Sequence, residues 1–119
     1  MKYFKESEFN CNCGECNKGF NDINVRLKLN LELARAASGV SYSLSSAMRC
    51  ATHNKNERGK SDSSHLRGLA VDIKVSNSYN RFRILSGLIK AGFNRIGIAK
   101  TFIHADVDLD KDPEVIWLY

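Results

Sequence analysis

Ser63-Ser64-His65-Leu66-Arg67-Gly68-Leu69-Ala70-Val71-Asp72-Ile73-Lys74-Val75 is the stretch on which the fold turns. Leu69, Val71, Ile73 and Val75 alternate with Ala70, Asp72 and Lys74, which is the two-residue period of a strand with one buried face. Asp72 therefore points away from the apolar layer. Ala70, on the same face, leaves room beside its carboxylate for a metal, and Gly68 lets the backbone approach a neighbour closely.

A second segment, Phe102-Ile103-His104-Ala105-Asp106, follows the same alternation. His104 and Asp106 lie on one face, and Ile103, Ala105 and Val107 on the other. Two imidazoles and a carboxylate are good zinc ligands, and three N or O donors suit a catalytic ion. A structural site closes all four positions with protein atoms, whereas a hydrolytic site keeps one for water and lowers its pKa to about 7. Taken singly, each histidine also has a plain explanation: His65 as a solvated loop residue, His104 as a strand residue bonded to its neighbours.

Outward from these segments, the first twenty residues are irregular, with Phe4 and Phe9 turned inward. Asn21 or Asp22 caps a helix in which Ile23, Leu27, Leu31 and Ala34 recur at helical spacing; Leu29 and Leu33 widen the stripe, and Gly39 stops it. Val40–Arg49 reads as a strand, and residues 51–64 as a long polar loop. Ser78 caps a second helix with Phe82, Leu85 and Ile89 on one face and Gly92 at its end. Strands follow near residues 95–99, 102–107 and 114–118. This order predicts an α+β fold, a small antiparallel sheet with helices packed on one side.

The chain has 119 residues, 43% hydrophobic and 26% charged, which describes one globular domain over residues 1–119. No run approaches the roughly 18 apolar residues of a membrane span, and Met1–Glu6 lacks the apolar stretch of a signal peptide, so synthesis in the cytoplasm is expected. A net charge of +5 favours polyanions such as nucleic acid, an anionic membrane surface or an acidic wall polymer. The basic residues are scattered and have no interleaved aromatic platform, so no specific nucleic-acid partner is expected. Three of four cysteines crowd into Cys11-Asn12-Cys13-Gly14-Glu15-Cys16, with Cys50 apart. Two readings stand: a structural zinc held by four thiolates, or a tight polar turn with reduced thiols.

Ser63, His65, Gly68, Ala70 and Asp72 match Ser-x-His-x-x-Gly-x-Ala-x-Asp, the signature of the zinc D-Ala-D-Ala carboxypeptidase and L-Ala-D-Glu endopeptidase family. At about one in twenty per fixed residue, chance gives this match on the order of a few times in ten million starts, so composition does not explain it. The chain thus resembles the M15-like peptidases, which share their fold with the hedgehog signalling domain. Ser46-Ala47-Met48-Arg49, followed by His53-Asn54, looks like that family's Ser-Gly-Tyr-Arg segment and its His-Asn. Phe102–Val107 resembles the segment that supplies the last ligand, and the likeness extends to the Phe9–Cys13 region and the closing Trp117-Leu118-Tyr119.

The resemblance implies that His65, Asp72 and His104 hold Zn2+, and that Arg49 engages a substrate carboxylate or carbonyl. Ser63 would steady the substrate or a ligand, and His53 would line the site or bind a leaving group. Many members carry an acidic general base three residues before the last histidine; here that position is Thr101. In the branch most similar to this chain an Asp follows the histidine by two, which makes Asp106 the implied base or a partner that orients His104, with Asp108 in reserve. The activity implied is that of a zinc metallopeptidase hydrolysing D-Ala-D-Ala ends or internal bonds of the peptidoglycan stem peptide. It would act as a monomer on the cell wall, as a phage lysin or virion-associated protein does. Because of Thr101, a wall- or protein-binding module that keeps fold and metal but not catalysis is the alternative.

Overall fold

The structure, a computed structural model, describes residues 1–119. Helix α1, Val25–Ser38, starts where Asn24 accepts the backbone N–H groups of Arg26 and Leu27 at 2.8 and 3.3 Å. The cap is later than Asn21 or Asp22 because Phe20–Asp22 form a separate single turn. Leu27, Leu31 and Ala34 are buried as the spacing requires, but Leu29 and Leu33 are exposed, so the stripe is narrower than predicted.

Helix α3, Ser78–Lys90, is capped by Asn77 rather than Ser78. Its buried face is Ile84, Gly87 and Leu88, and the expected face is corrected: Phe82 and Ile89 are exposed and only Leu85 packs against the core. The reason is a close approach of α1 to α3 at Gly87, where a Cβ would stand 2.5 Å from the Ala34 carbonyl oxygen and 1.9 Å from Ser38 Oγ. That contact rotates α3 so that the glycine, not the largest side chains, meets α1. The polar run after Arg49 is not all loop. Ala51–Asn56 form a short helix, α2, whose first turn is capped by Cys50, its Sγ accepting the His53 N–H at 3.4 Å.

Five strands make one sheet: β1 Leu44–Ser46, β2 Ala70–Lys74, β3 Arg95–Ile98, β4 Phe102–Asp106 and β5 Val115–Leu118, in the order β1-β2-β4-β3-β5. The strand predicted over Val40–Arg49 shortens to its middle three residues. The sheet is mixed rather than wholly antiparallel, since β5 runs parallel to β3. Both edges of β4 are taken by β2 and β3, so residues 107–114 carry the chain past β3 and β5 adds to its free edge in the same direction.

Val71, Ile73, Ile96, Ile103 and Ala105 from one sheet face join Leu27, Leu31, Ala34, Ile84 and Leu88 from the helices in a single buried core, with Phe4 and Phe9 closing one end. Each buried Leu, Ile or Phe there contributes about 1.5–3 kcal/mol of transfer free energy. Both helices therefore cover one face, and the opposite face is free for polar work. The turn between α2 and β2 is fixed by Gly68, at φ 69°, where a Cβ would lie 2.0 Å from the Asp22 carbonyl oxygen. Only glycine permits both that backbone conformation and that contact.

Alanine is a better helix former than glycine by about 1 kcal/mol, yet Gly87→Ala is expected to destabilise the protein by more than that gain, because the methyl group meets the backbone of α1. Urea unfolding measures it, and a variant more stable than the parent would show that α1 and α3 are not in close contact there.

Candidate metal centre

The register of β2 and β4 pairs Asp72 directly with His104, and Ala70 with Asp106, on the sheet face away from the helices. His65 arrives from the single turn Ser64–Arg67, whose start is capped by Ser63 Oγ accepting the His65 N–H at 3.3 Å. His65 Nδ1–H donates to the Ala47 carbonyl at 2.7 Å, which turns Nε2 toward Asp72 Oδ1, 3.3 Å away. His104 Nε2–H donates to Asp106 Oδ2 at 2.7 Å and so presents Nδ1 to the same Asp72 oxygen at 3.0 Å.

The three donor atoms lie within 4.8 Å of one another, and all three residues are buried. In each histidine the outward nitrogen is held by an acceptor and the inward nitrogen is left to ligate, which is the arrangement that fixes tautomer and ring orientation in metal sites. Two imidazoles and one carboxylate fit a divalent ion that keeps a position for water.

Charges around these groups are arranged in layers. Burial works to raise the Asp72 pKa, but hydrogen bonding with His104 and His65 and their charge outweigh it and hold the carboxyl well below its usual range. Burial likewise opposes a charge on His104, yet hydrogen bonds to Asp106 and Asp72 prevail and raise its pKa. Asp106 is lowered against its own burial by His104, the Asp108 N–H and Arg95. Arg49 stands 3.6 Å from the second Asp72 oxygen, with Nε donating to Ser46 Oγ at 3.1 Å.

A cavity of about 610 Å³ opens over this cluster, with Arg49, Lys60, Ser63, Arg95, Trp117 and Tyr119 among its walls. Gly97 pairs with His104 on one side and with Trp117 on the other. The indole thus lies over the place of the absent side chain, 5.4 Å from the His104 ring.

The profile of the family described as Peptidase M15 matches residues 2–106. The chain belongs to that family. It is a peptidase by that membership, and a comparison with curated proteins finds no match. The match ends at Asp106, so β5 with Trp117, and Tyr119 after it, lie beyond it.

Within this M15 peptidase the structure brings His65, Asp72, His104, Arg49, Ser63 and Asp106 to the cavity. His53 is not among its walls: buried on α2, it faces Glu57 across 3.7 Å. Asp108 is also turned away, with Ser64 Oγ donating to it at 2.7 Å and Arg67 bound to the same oxygen. Thr101 stands just before β4, outside the cavity, its carbonyl accepting the Val75 N–H at 2.9 Å. Asp106 is 1% exposed and its oxygens are occupied, Oδ1 by Arg95 Nε at 2.8 Å and the Asp108 N–H at 3.1 Å, Oδ2 by His104. Arg95 is absent from the sequence reading. Its signal was the alternation of Arg95 and Gly97 with Ile96 and Ile98, which puts the guanidinium on the polar face.

Because the folded His104 pKa lies above its unfolded value, its stabilising contribution is complete below about pH 6.5 and is lost as pH rises through the folded pKa. Asp72 behaves oppositely, its contribution being present above the usual carboxylate range and lost only in strong acid. In metal-free protein the His104 imidazole followed by NMR should titrate above the ordinary histidine value of 6.5, and added zinc should abolish the titration. Titration at or below the ordinary value would contradict the geometry around Asp72.

Proposed function

We propose that this peptidase is zinc-dependent and hydrolyses peptide bonds in the stem peptides of bacterial peptidoglycan, at D-Ala-D-Ala ends or within the stem. The observation that carries the reading is the convergence of His65 Nε2, Asp72 Oδ1 and His104 Nδ1 at the floor of an open cavity. Zinc bound there would supply a Lewis acid and a coordinated water with a pKa of about 7.

The chain's own residues do the remaining work. Arg49 offers a planar fork of donors on the cavity wall, suited to a substrate carboxylate or to the carbonyl next to the cleaved bond. Arg58, Lys60 and Lys111 add positive charge around the opening, which favours a peptide rich in carboxylates, as wall stem peptides are. Ser63 has its hydroxyl oxygen occupied by the His65 N–H and keeps its own proton to donate to substrate. Trp117 and Tyr119 give an apolar wall against which a small side chain such as alanine can pack.

Asp106 takes the role of positioning residue: its bond to His104 Nε2 fixes the ligand, while Arg95 fixes Asp106. With its acceptors already used, it is a poor proton acceptor for water in the cavity. We take the protein to act as a monomer, without a specific nucleic-acid partner, in the manner of a wall-degrading lysin or virion-associated protein. No helix is long and apolar enough to cross a membrane.

Mass spectrometry of purified peptidoglycan after digestion tests the assignment. Wild-type protein with zinc should release D-Ala or stem-peptide fragments, and His65→Ala should release none. Sedimentation with walls in the absence of any product from the wild type would instead favour the binding-module reading, for which the neutral Thr101 is the motivating observation.

Asp106→Asn separates positioning from proton transfer. A positioning role costs about 10–100-fold in zinc affinity, read by competition with a chelator, together with a fall in activity. Unchanged zinc affinity with activity lost would make Asp106 the general base.

A further inference from the structure

The four cysteines, which the peptidase chemistry does not use, meet in space. Cys11, Cys13 and Cys16 come from the turn that follows the first single helical turn, and Cys50 comes from the cap of α2, 39 residues after Cys11. Their four sulfur atoms all lie within 4.8 Å of one another, with Cys13 and Cys16 Sγ 3.4 Å apart. A tetrahedral ion with metal–sulfur bonds of about 2.3 Å has sulfur–sulfur edges of about 3.8 Å, so the cluster needs only small adjustments to enclose one.

The backbone is arranged for thiolates. Glu15 and Cys16 direct their N–H groups at Cys13 Sγ, both at 3.3 Å, Cys50 N–H points at Cys11 Sγ at 3.3 Å, and His53 N–H points at Cys50 Sγ at 3.4 Å. Such donors offset the negative charge that four thiolates bring to one ion. Four soft donors in a closed shell leave no place for water, the reverse of the arrangement around Asp72.

We propose that Cys11, Cys13, Cys16 and Cys50 bind a second zinc ion, with a structural role. The ion clamps the N-terminal turn to the residue after Arg49. The same segment is braced by the Met48 N–H donating to the Phe9 carbonyl at 3.3 Å and by the Arg49 N–H donating to the His65 carbonyl at 3.2 Å. The clamp thus holds the backbone that carries Arg49 and that receives His65 at Ala47. This proposal does not rest on the peptidase reading.

The test uses the full chain, purified under reducing conditions and loaded with zinc or cobalt. Native mass spectrometry should count two zinc ions in the wild type and one each in Cys16→Ser and His65→Ala. Cobalt-loaded wild type and His65→Ala should both show thiolate-to-cobalt charge-transfer absorption, and Cys16→Ser should lose it. Should Cys16→Ser fail to fold, zinc should still protect the wild-type thiols from a thiol reagent. Cobalt-loaded wild type lacking the charge-transfer band, thiols equally reactive with and without zinc, or a disulfide among the four in reduced, folded protein would each overturn the proposal.

Discussion

One carboxylate oxygen, Asp72 Oδ1, has an imidazole nitrogen on either side, 3.3 Å away in His65 and 3.0 Å away in His104. Each imidazole has already committed its other nitrogen as a donor, His65 to a backbone carbonyl and His104 to Asp106. Lone pairs of three buried atoms therefore point at one place, which is unfavourable unless a cation lies between them. A proton on His104 meets part of that need, and its pKa is raised by the hydrogen bonds to Asp106 on one side of the ring and Asp72 on the other. A divalent ion would meet it fully, and its binding free energy would then also be folding free energy.

The architecture follows from the need to hold that oxygen still. Period-two alternation in β2 and β4 puts Val71, Ile73, Ile103 and Ala105 into the core and Asp72, His104 and Asp106 on the opposite face. The apolar residues anchor the same strands whose alternate positions carry Asp72 and His104, so a shift of one residue in register would exchange core and site. Arg95 on β3 and Trp117 on β5 then support His104 from beside and above, the first through Asp106 and the second across Gly97. No buried side-chain nitrogen or oxygen is left without a hydrogen-bond partner, which is how a small core tolerates so polar a face.

What could be read from the sequence was what depends on local period and spacing. The strands around Asp72 and His104 and their phase follow from side-chain alternation, the inner face of α1 from helical spacing, and the meeting of His65, Asp72 and His104 from the motif that begins at Ser63 together with the likeness of Phe102–Val107. What could not be read depends on contacts between distant segments. Phe82 and Ile89 form a plausible apolar face, but the approach of α1 to Gly87 selects another one. The parallel pairing of β5 is decided by which sheet edge remains free, and no property of Val115–Leu118 records that. The helix Ala51–Asn56 is hidden in a polar run because its capping group is a cysteine, a residue that does not signal a helix start. Alternation puts Arg95 on the polar face, but its bond to Asp106 and the occupied oxygens of that carboxylate follow only from β3 lying beside β4.

The cysteine cluster and the Asp72 centre differ in a way that explains why one small chain can carry both. Around Asp72 two of the three donors, Asp72 and His104, are paired strand residues, and the third, His65, sits on a single turn held by its bond to the Ala47 carbonyl, so sheet and turn set the donor positions before any ion binds. At the cysteines the donors sit in an irregular turn and at a short helix cap; Cys11 is buried, but no residue from 12 to 18, the stretch that carries Cys13 and Cys16, is. A closed four-thiolate shell suits that second setting, since the ion itself supplies the order that packing does not. The two centres are joined by residues 47–50: Ala47 receives His65, Arg49 faces Asp72, and Cys50 turns toward Cys11. The N-terminal turn therefore meets the cavity through four consecutive residues, and Asn12 also donates to the Ser45 carbonyl of β1 at 2.9 Å.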